Sequence, residues 1–235
     1  MDKFRIDNSG EITKLYILNA IGGYDGIQAT DVVPEIHKIR TDKIDIHVDS
    51  LGGDVFQATA IFNALQNHPA YKTAYVDGVA ASAASFLIQA ADHIVMGHGT
   101  QLMIHDAMGV FNGNVSGLDE FRALLDSTSN NIAAFYANRA GGDVKTWRKR
   151  MQAETWYTAE EAVAAGLADE VAGRTLSPAN LIQMELTLTN SGFNYKGRNN
   201  APDPDGIPAD KVTSEEPVLL KDALLNALRD ALKEA

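Results

Sequence analysis

Apolar and polar positions change period repeatedly along the first two-thirds of the chain, and each change predicts a switch between strand and helix. Residues 14–19 read as a strand and residues 25–39 as a helix, in which Pro34 predicts a kink or break. Residues 44–48 read as a strand turned by Asp49-Ser50-Leu51-Gly52-Gly53, and residues 55–67 as a helix with Ala58, Ile61, Phe62 and Leu65 on one face. A strand at 71–76, an apolar helix at 83–91 and short strands at 94–97 and 101–105 follow. Strands alternating with helices predict βαβ units, hence an α/β fold with a largely parallel sheet covered on both sides.

The pattern then loosens. Residues 108–117 are rich in Gly and Asn and read as an extended loop or hairpin arm. Residues 118–139 read as a long helix with Phe121, Leu124, Leu125, Ile132 and Phe135 in a broad stripe, stopped by Gly141-Gly142. A shorter helix is expected over 143–151. Thr158-Ala159-Glu160-Glu161 is a capping box opening a helix that ends near Gly166, before a final strand at 167–171. Composition divides the rest: a folded domain over 1–188, a flexible linker over 189–217, and an amphipathic helix over 218–235 striped by Leu220, Leu224, Leu228 and Leu232. A helix that short is marginal in water, so its stripe calls for a partner surface.

Composition narrows the classes. The 235 residues are 45% hydrophobic and 22% charged, enough for a substantial core. There is no Cys, which excludes disulfides and thiolate metal sites. No cofactor or metal is expected. A formal net charge of -11 argues against nucleic acid as a partner, because phosphate binding rests on Lys and Arg. The N-terminal residues lack a signal-peptide apolar region and no run is long enough to span a membrane, so a cytoplasmic protein is expected.

The chemistry centres on Ser82, in Gly78-Val79-Ala80-Ala81-Ser82-Ala83-Ala84-Ser85, and on His105, which ends Leu102-Met103-Ile104-His105. The flanking pattern puts Ser82 at a strand-to-helix turn, where a hydroxyl can project and the N–H groups of a new helix can face a developing oxyanion. A serine hydroxyl needs a base, an acid to orient that base and donors for the oxyanion. His105 stands where an apolar strand meets a Gly/Asn loop, the usual place for a functional group; His37, His47, His68, His93 and His98 read as solvated or packed. The Gly52-Gly53 turn allows a close backbone approach and lacks the spacing of nucleotide-binding loops.

These segments resemble those of the ClpP serine peptidases, most of all the ClpP-related head maturation proteases of phages and prophages. The similarity runs in order through Asp45-Ile46-His47-Val48-Asp49-Ser50-Leu51-Gly52-Gly53, the Ser82 segment, the His105 segment, Glu154-Thr155-Trp156-Tyr157-Thr158-Ala159-Glu160-Glu161-Ala162 and Gly166-Leu167-Ala168-Asp169. It implies a ClpP/crotonase-type fold with a protruding handle of strand arm plus long helix. It implies Ser82 as nucleophile, His105 as base, and backbone N–H donors at Gly53 and Ala83. The third member is usually an Asp, and Glu154 stands in its place, with Asp106 and Asp169 as rivals. Substrate would run between Gly52 on one side and Met108 and Gly109 on the other.

The resemblance further implies homo-oligomeric rings, heptamers or stacked double rings, acting on polypeptides. The expected function is ATP-independent cleavage of scaffold and coat precursors during capsid maturation. The segment before Lys14 lacks a recognisable axial-loop motif, so docking to an ATP-driven unfoldase is not expected. A housekeeping-type ClpP subunit fed by an unfoldase and a catalytically impaired assembly module are the alternatives.

Overall fold

The computed structural model describes residues 4–173, together with Gly197 and Pro204. Apart from those two positions, the expected linker and terminal helix lie outside the described residues. The elements run β1 (Arg5–Asp7), β2 (Thr13–Ile17), α1 (Ala29–Lys38), β3 (Lys43–Ser50), α2 (Val55–Gln66), β4 (Tyr71–Ala81), α3 (Ala83–Leu87) and a 3-10 turn (Ile88–Ala90). They continue through β5 (His93–Met96), β6 (Gln101–Ile104), α4 (Val115–Ala140), α5 (Val144–Ala153), β7 (Thr155–Thr158), α6 (Ala159–Ala164) and β8 (Glu170–Val171).

One 8-stranded sheet has the order β1-β2-β3-β4-β5-β8, with β6 branching from β4 and β7 beyond it. Strands β2, β3, β4, β5 and β8 pair in parallel, β1 is antiparallel to β2, and β7 is antiparallel to β6. The core is Leu15, Ile17, Ile44, Ile46, Val48, Ala74 and Val76 from one sheet face against Val32, Ile36, Ile61, Leu65 and Phe86 from the helices, all essentially without solvent contact. Burying each Leu, Ile, Val or Phe side chain of this set stabilises the fold by about 1.5–3 kcal/mol.

The expected cover on both sheet faces is found on one face only over β2–β4. The other carries Tyr16, His47 and Tyr75, paired in register and stacked with ring centroids 5.0 and 5.1 Å apart. These residues are half-buried. The cause lies in the sequence: β3 alternates Ile44, Ile46, Val48 with Asp45, His47, Asp49, a two-residue period that suits a sheet with one wet face.

Several boundaries also move. The first helix begins at Ala29, because residues before it form a tight loop in which Gly22 N–H donates to Ile27 O and Ile27 N–H to Ala20 O. The helix runs unbroken through Pro34. Thr30, whose carbonyl lacks the Pro34 donor, is exposed and open to water. The helix expected over 83–91 is five residues of α3 followed by the 3-10 turn. Within the arm expected from 108 onward no strand forms, and α4 takes over at Val115. The capping box at Thr158 is present with both of its bonds.

Candidate active site

Strand register assembles the site. The lower half of β4 pairs with β5 over residues 73–76, and its upper half pairs with β6 over 79–81. That handover puts Ala81 beside Met103, and Ser82 N–H donates to Met103 O at 2.9 Å. His105 follows β6 directly, so its ring comes level with the Ser82 side chain. On the far side of β6, Ile104 pairs with Thr155, which sets Glu154 at the same end. Across β4, Ser50 pairs with Ala80, so the Leu51-Gly52-Gly53 loop runs beside the Ser82 turn. Three register relations, not a single sequence motif, bring the groups together.

The Ser82 Oγ lies 2.6 Å from His105 Nε2. Ser82 holds φ 54° and ψ -121°, a conformation that L-residues avoid and that costs of order 1–3 kcal/mol. It is the sharp turn between β4 and α3 that points the hydroxyl out of the sheet. Burial pushes the His105 imidazole below its ordinary value, while the negative charges of Glu154 and Asp106 pull it back up. A neutral imidazole can accept a proton from the hydroxyl.

Of the three carboxylates considered for the acid, two are engaged elsewhere. Asp106 forms a two-point ion pair with Arg148, at 2.7 Å to Nε and 3.1 Å to Nη2. Arg148 is itself tied to Asp126 and Asn130 on α4. Asp169 accepts from the Ile94 N–H and pairs with Arg139, joining β5 to α4. Glu154 is 9% exposed, is close enough to His105 for its charge to be felt, and accepts from Trp156 Nε1 at 3.1 Å. Trp156 lies in a small apolar cluster with Leu51, Val79, Ala81 and Met103 behind the site.

The glycine turn is fixed from two directions. Ile21 N–H donates to Gly52 O and Asp54 N–H to Ile21 O, both at 2.8 Å, which leaves the Gly53 N–H outside the bridge. At Gly52, φ is +88°, and a Cβ there would lie 2.5 Å from Ala81 O and 2.7 Å from Ala83 N. At Gly53, φ is +142°, and a Cβ would collide with Ile21 O. Only glycine fits either position. Gly53, Ser82, Ala83 and His105 all line one cavity of about 100 Å³, whose remaining wall includes Val55, Phe86, Ile132, Ala107 and Met108. Ala83 N–H is in the first turn of α3, where helix geometry supplies no internal acceptor.

Of the residues expected to hold substrate, Met108 reaches this cavity. Gly52 lies behind it against residues 81–83, and Gly109 packs beside Phe121. None of the other histidines lines it; His47 sits in its aromatic stack bonded to Asp77, and His93 pairs with Glu170. The sequence pattern did not single out Arg148, Ser129 or the cavity residues Val55 and Phe86. Ser129 Oγ accepts from Ala107 N–H at 2.9 Å and anchors the loop just after His105.

A family profile described as Clp protease matches residues 11–175, which include every residue of the site. The chain belongs to the Clp protease family. The ATP-dependent Clp protease proteolytic subunit 2 of Streptomyces avermitilis is 30% identical over 138 residues, covering 57% of this chain and 69% of that one. The protein of the same description from Pseudomonas aeruginosa is 27% identical over 155 residues, 64% of this chain and 77% of its own. Membership of the Clp protease family makes the chain a ClpP-like serine peptidase and agrees with the mixed α/β architecture. Among the described residues, no helix is long and apolar enough to cross a membrane.

Proposed function

We propose that the protein is a serine endopeptidase in which Ser82 is the nucleophile, His105 the general base and Glu154 the acid that orients it. The 2.6 Å contact between Ser82 Oγ and His105 Nε2 carries this reading. His105 takes the hydroxyl proton as Oγ attacks the peptide carbonyl carbon. The oxyanion receives the Gly53 and Ala83 N–H groups, and the imidazolium then protonates the leaving amine. Water, activated by the same imidazole, releases the acyl group from Ser82. Glu154 stabilises the imidazolium without itself taking the proton.

Polypeptides are the substrates, and a homo-oligomeric ring is the working form of this family. Two settings compete. In one, the protease cuts scaffold and coat precursors during phage capsid maturation without ATP; its support is the resemblance of the Ser82, His105 and Glu154 segments to head maturation proteases. In the other, the chain is a proteolytic subunit fed by an ATP-driven unfoldase; its support is the description of the relatives as ATP-dependent proteolytic subunits.

Fluorophosphonate labelling and peptide hydrolysis, with Ser82→Ala as control, test the chemistry. Labelling that persists in Ser82→Ala overturns the assignment. Incubation with neighbouring capsid precursors, beside affinity capture of an unfoldase, separates the two settings.

A further inference from the structure

We propose that Tyr136 and Ser85 are positioning residues that aim the Ala83 N–H and the Ser82 hydroxyl into the cavity. The proposal rests on the reading of Ser82 as nucleophile. The Ser82 carbonyl accepts from Ser85 twice, from its N–H at 3.0 Å and from its Oγ at 2.6 Å. Ser85 Oγ also lies 2.7 Å from the Tyr136 hydroxyl. Ser85 has one hydroxyl proton, and a carbonyl can only accept. The proton between Ser85 and Tyr136 therefore comes from Tyr136. Burial pushes the Tyr136 phenol far up, so it stays a donor. The relay has one direction: Tyr136 to Ser85 to Ser82.

Its effect follows from peptide planarity. The Ser82 C=O and the Ala83 N–H belong to one rigid unit and point in opposite directions. Pinning the carbonyl on the core side aims the N–H toward the cavity that Ala83 lines. Ser82 needs such a clamp, because φ 54° with ψ -121° is a conformation the residue would leave if free. The clamp is dry and well anchored. Tyr136 and Ser85 are 1% and 0% exposed, and Gln89 Nε2 donates to Ser85 O at 2.9 Å. Tyr136 belongs to the buried stripe Ser129, Ile132, Ala133, Tyr136 of α4. The same helix face thus holds the loop after His105 through Ser129, walls the cavity with Ile132 and fixes the Ser82 turn through Tyr136.

The test uses the full chain and compares Tyr136→Phe, Ser85→Ala and the double variant in peptide hydrolysis. Tyr136→Phe should lower kcat about three- to tenfold, the worth of one neutral hydrogen bond, and leave KM within about twofold. The pH midpoint of the reaction should not move, because His105 is untouched. Affinity for a peptide boronate, whose adduct places an oxygen among the oxyanion donors, should fall by the same factor as kcat/KM. Ser85→Ala should lower kcat further, and adding Tyr136→Phe to it should change kcat no more, since the recipient of the Tyr136 bond is already gone.

Parental kcat in Tyr136→Phe, losses that add in the double variant, or a loss confined to KM overturns the relay. If Ser85→Ala fails to fold, Ser85→Thr takes its place: it keeps the hydroxyl and should keep boronate affinity above that of Tyr136→Phe, and the opposite order overturns the relay. Hydrolysis that survives Ser82→Ala overturns the nucleophile assignment and the relay with it. Ser82-dependent hydrolysis that Tyr136→Phe leaves intact overturns the relay alone.

Discussion

Ser82 and Glu154 are the described non-glycine residues held at positive φ, 54° and 56°. They lie 72 positions apart in sequence, by the difference of their numbers, and at the same end of β6 in space. Each occupies the single residue that joins a helix to a strand: Ser82 between β4 and α3, Glu154 between α5 and β7. The first turn puts the Ser82 hydroxyl on the cavity wall, and the second puts the Glu154 carboxylate near enough to His105 for its charge to be felt. Strain is tolerated where pairing on both sides over-determines the backbone, and here the pairings are Ala81 with Met103 and Thr155 with Ile104.

The first prediction concerns the acid. Glu154→Gln keeps the shape and loses the charge beside His105. Turnover should fall by between about tenfold and ~10⁴-fold, the larger figure being the precedent for removing a triad acid's charge. Asp106→Asn weakens the Arg148 pair instead and should cost less. Asp169→Asn, on the β5–α4 contact, should leave kcat nearly unchanged. Peptide hydrolysis rates of the three variants decide the order, and Asp106→Asn as the worst of them would reassign the acid.

The second prediction is the pH dependence. An imidazole ordinarily titrates near 6.5, and burial lowers His105 below that, with Glu154 and Asp106 acting against the shift. The base works when neutral, so kcat/KM should rise with pH through a midpoint below 6.5. Removing the Glu154 charge takes away one raising influence, so Glu154→Gln should move the midpoint lower still. Stability follows the same sign. The unfolded chain binds the proton more readily, so the contribution of His105 is complete above 6.5 and is lost as pH falls through its folded value. An acid limb centred at or above 6.5, or an upward move in Glu154→Gln, contradicts this.

The alternation of apolar runs marks most of the parallel strands and helices, and the Ser82 and His105 segments stand out as chemistry. What a single chain does not display is who pairs with whom. The handover of β4 from β5 to β6 falls at Asp77-Gly78, which reads as the end of a strand, so nothing in the sequence shows that 79–81 will find 101–103. That pairing is what extends β4 to Ala81. The alternation of strands and helices points to cover on both faces, whereas the two-residue alternation of Asp45, His47 and Asp49 with Ile44, Ile46 and Val48 carries the signal of one wet face that this expectation passes over. Arg148 was not legible, because an arginine on a short helix carries no sign that it will hold the residue next to His105. Glu154 was legible through its place before Thr155-Trp156-Tyr157, and its left-handed backbone was not.

The third prediction is substrate preference. Beyond Ser82 the cavity is walled by Val55, Phe86, Ile132, Ala107 and Met108, with Asp106 at one side, and it holds about 100 Å³. An apolar side chain on the residue donating the scissile carbonyl fits that wall. A Glu side chain would leave an unpaired charge there, at a cost of several kcal/mol. Peptides with Leu at that position should be cleaved at least about a hundredfold faster than those with Glu. Ile132→Phe should narrow the wall and slow Leu peptides more than Ala peptides. Equal rates for Leu and Glu peptides would mean that the side chain binds elsewhere.

The last prediction separates strain from collision at the glycines. Gly53→Ala faces both: φ is +142°, and the new Cβ would meet the Ile21 carbonyl, which is backbone and already bonded to Asp54 N–H. The loop must shift, carrying the Gly53 N–H away from the oxyanion position. Loss of one such donor is worth about 10²–10³ in kcat. Gly23→Ala is the control. Its φ is +73°, but a Cβ there meets nothing within 4 Å. That variant should lose roughly 1 kcal/mol of stability and keep its turnover. Thermal melting and peptide hydrolysis on both variants give the answer. If Gly53→Ala keeps parental kcat, the Gly53 N–H is not an oxyanion donor, and Ala83 N–H must do that work with another group.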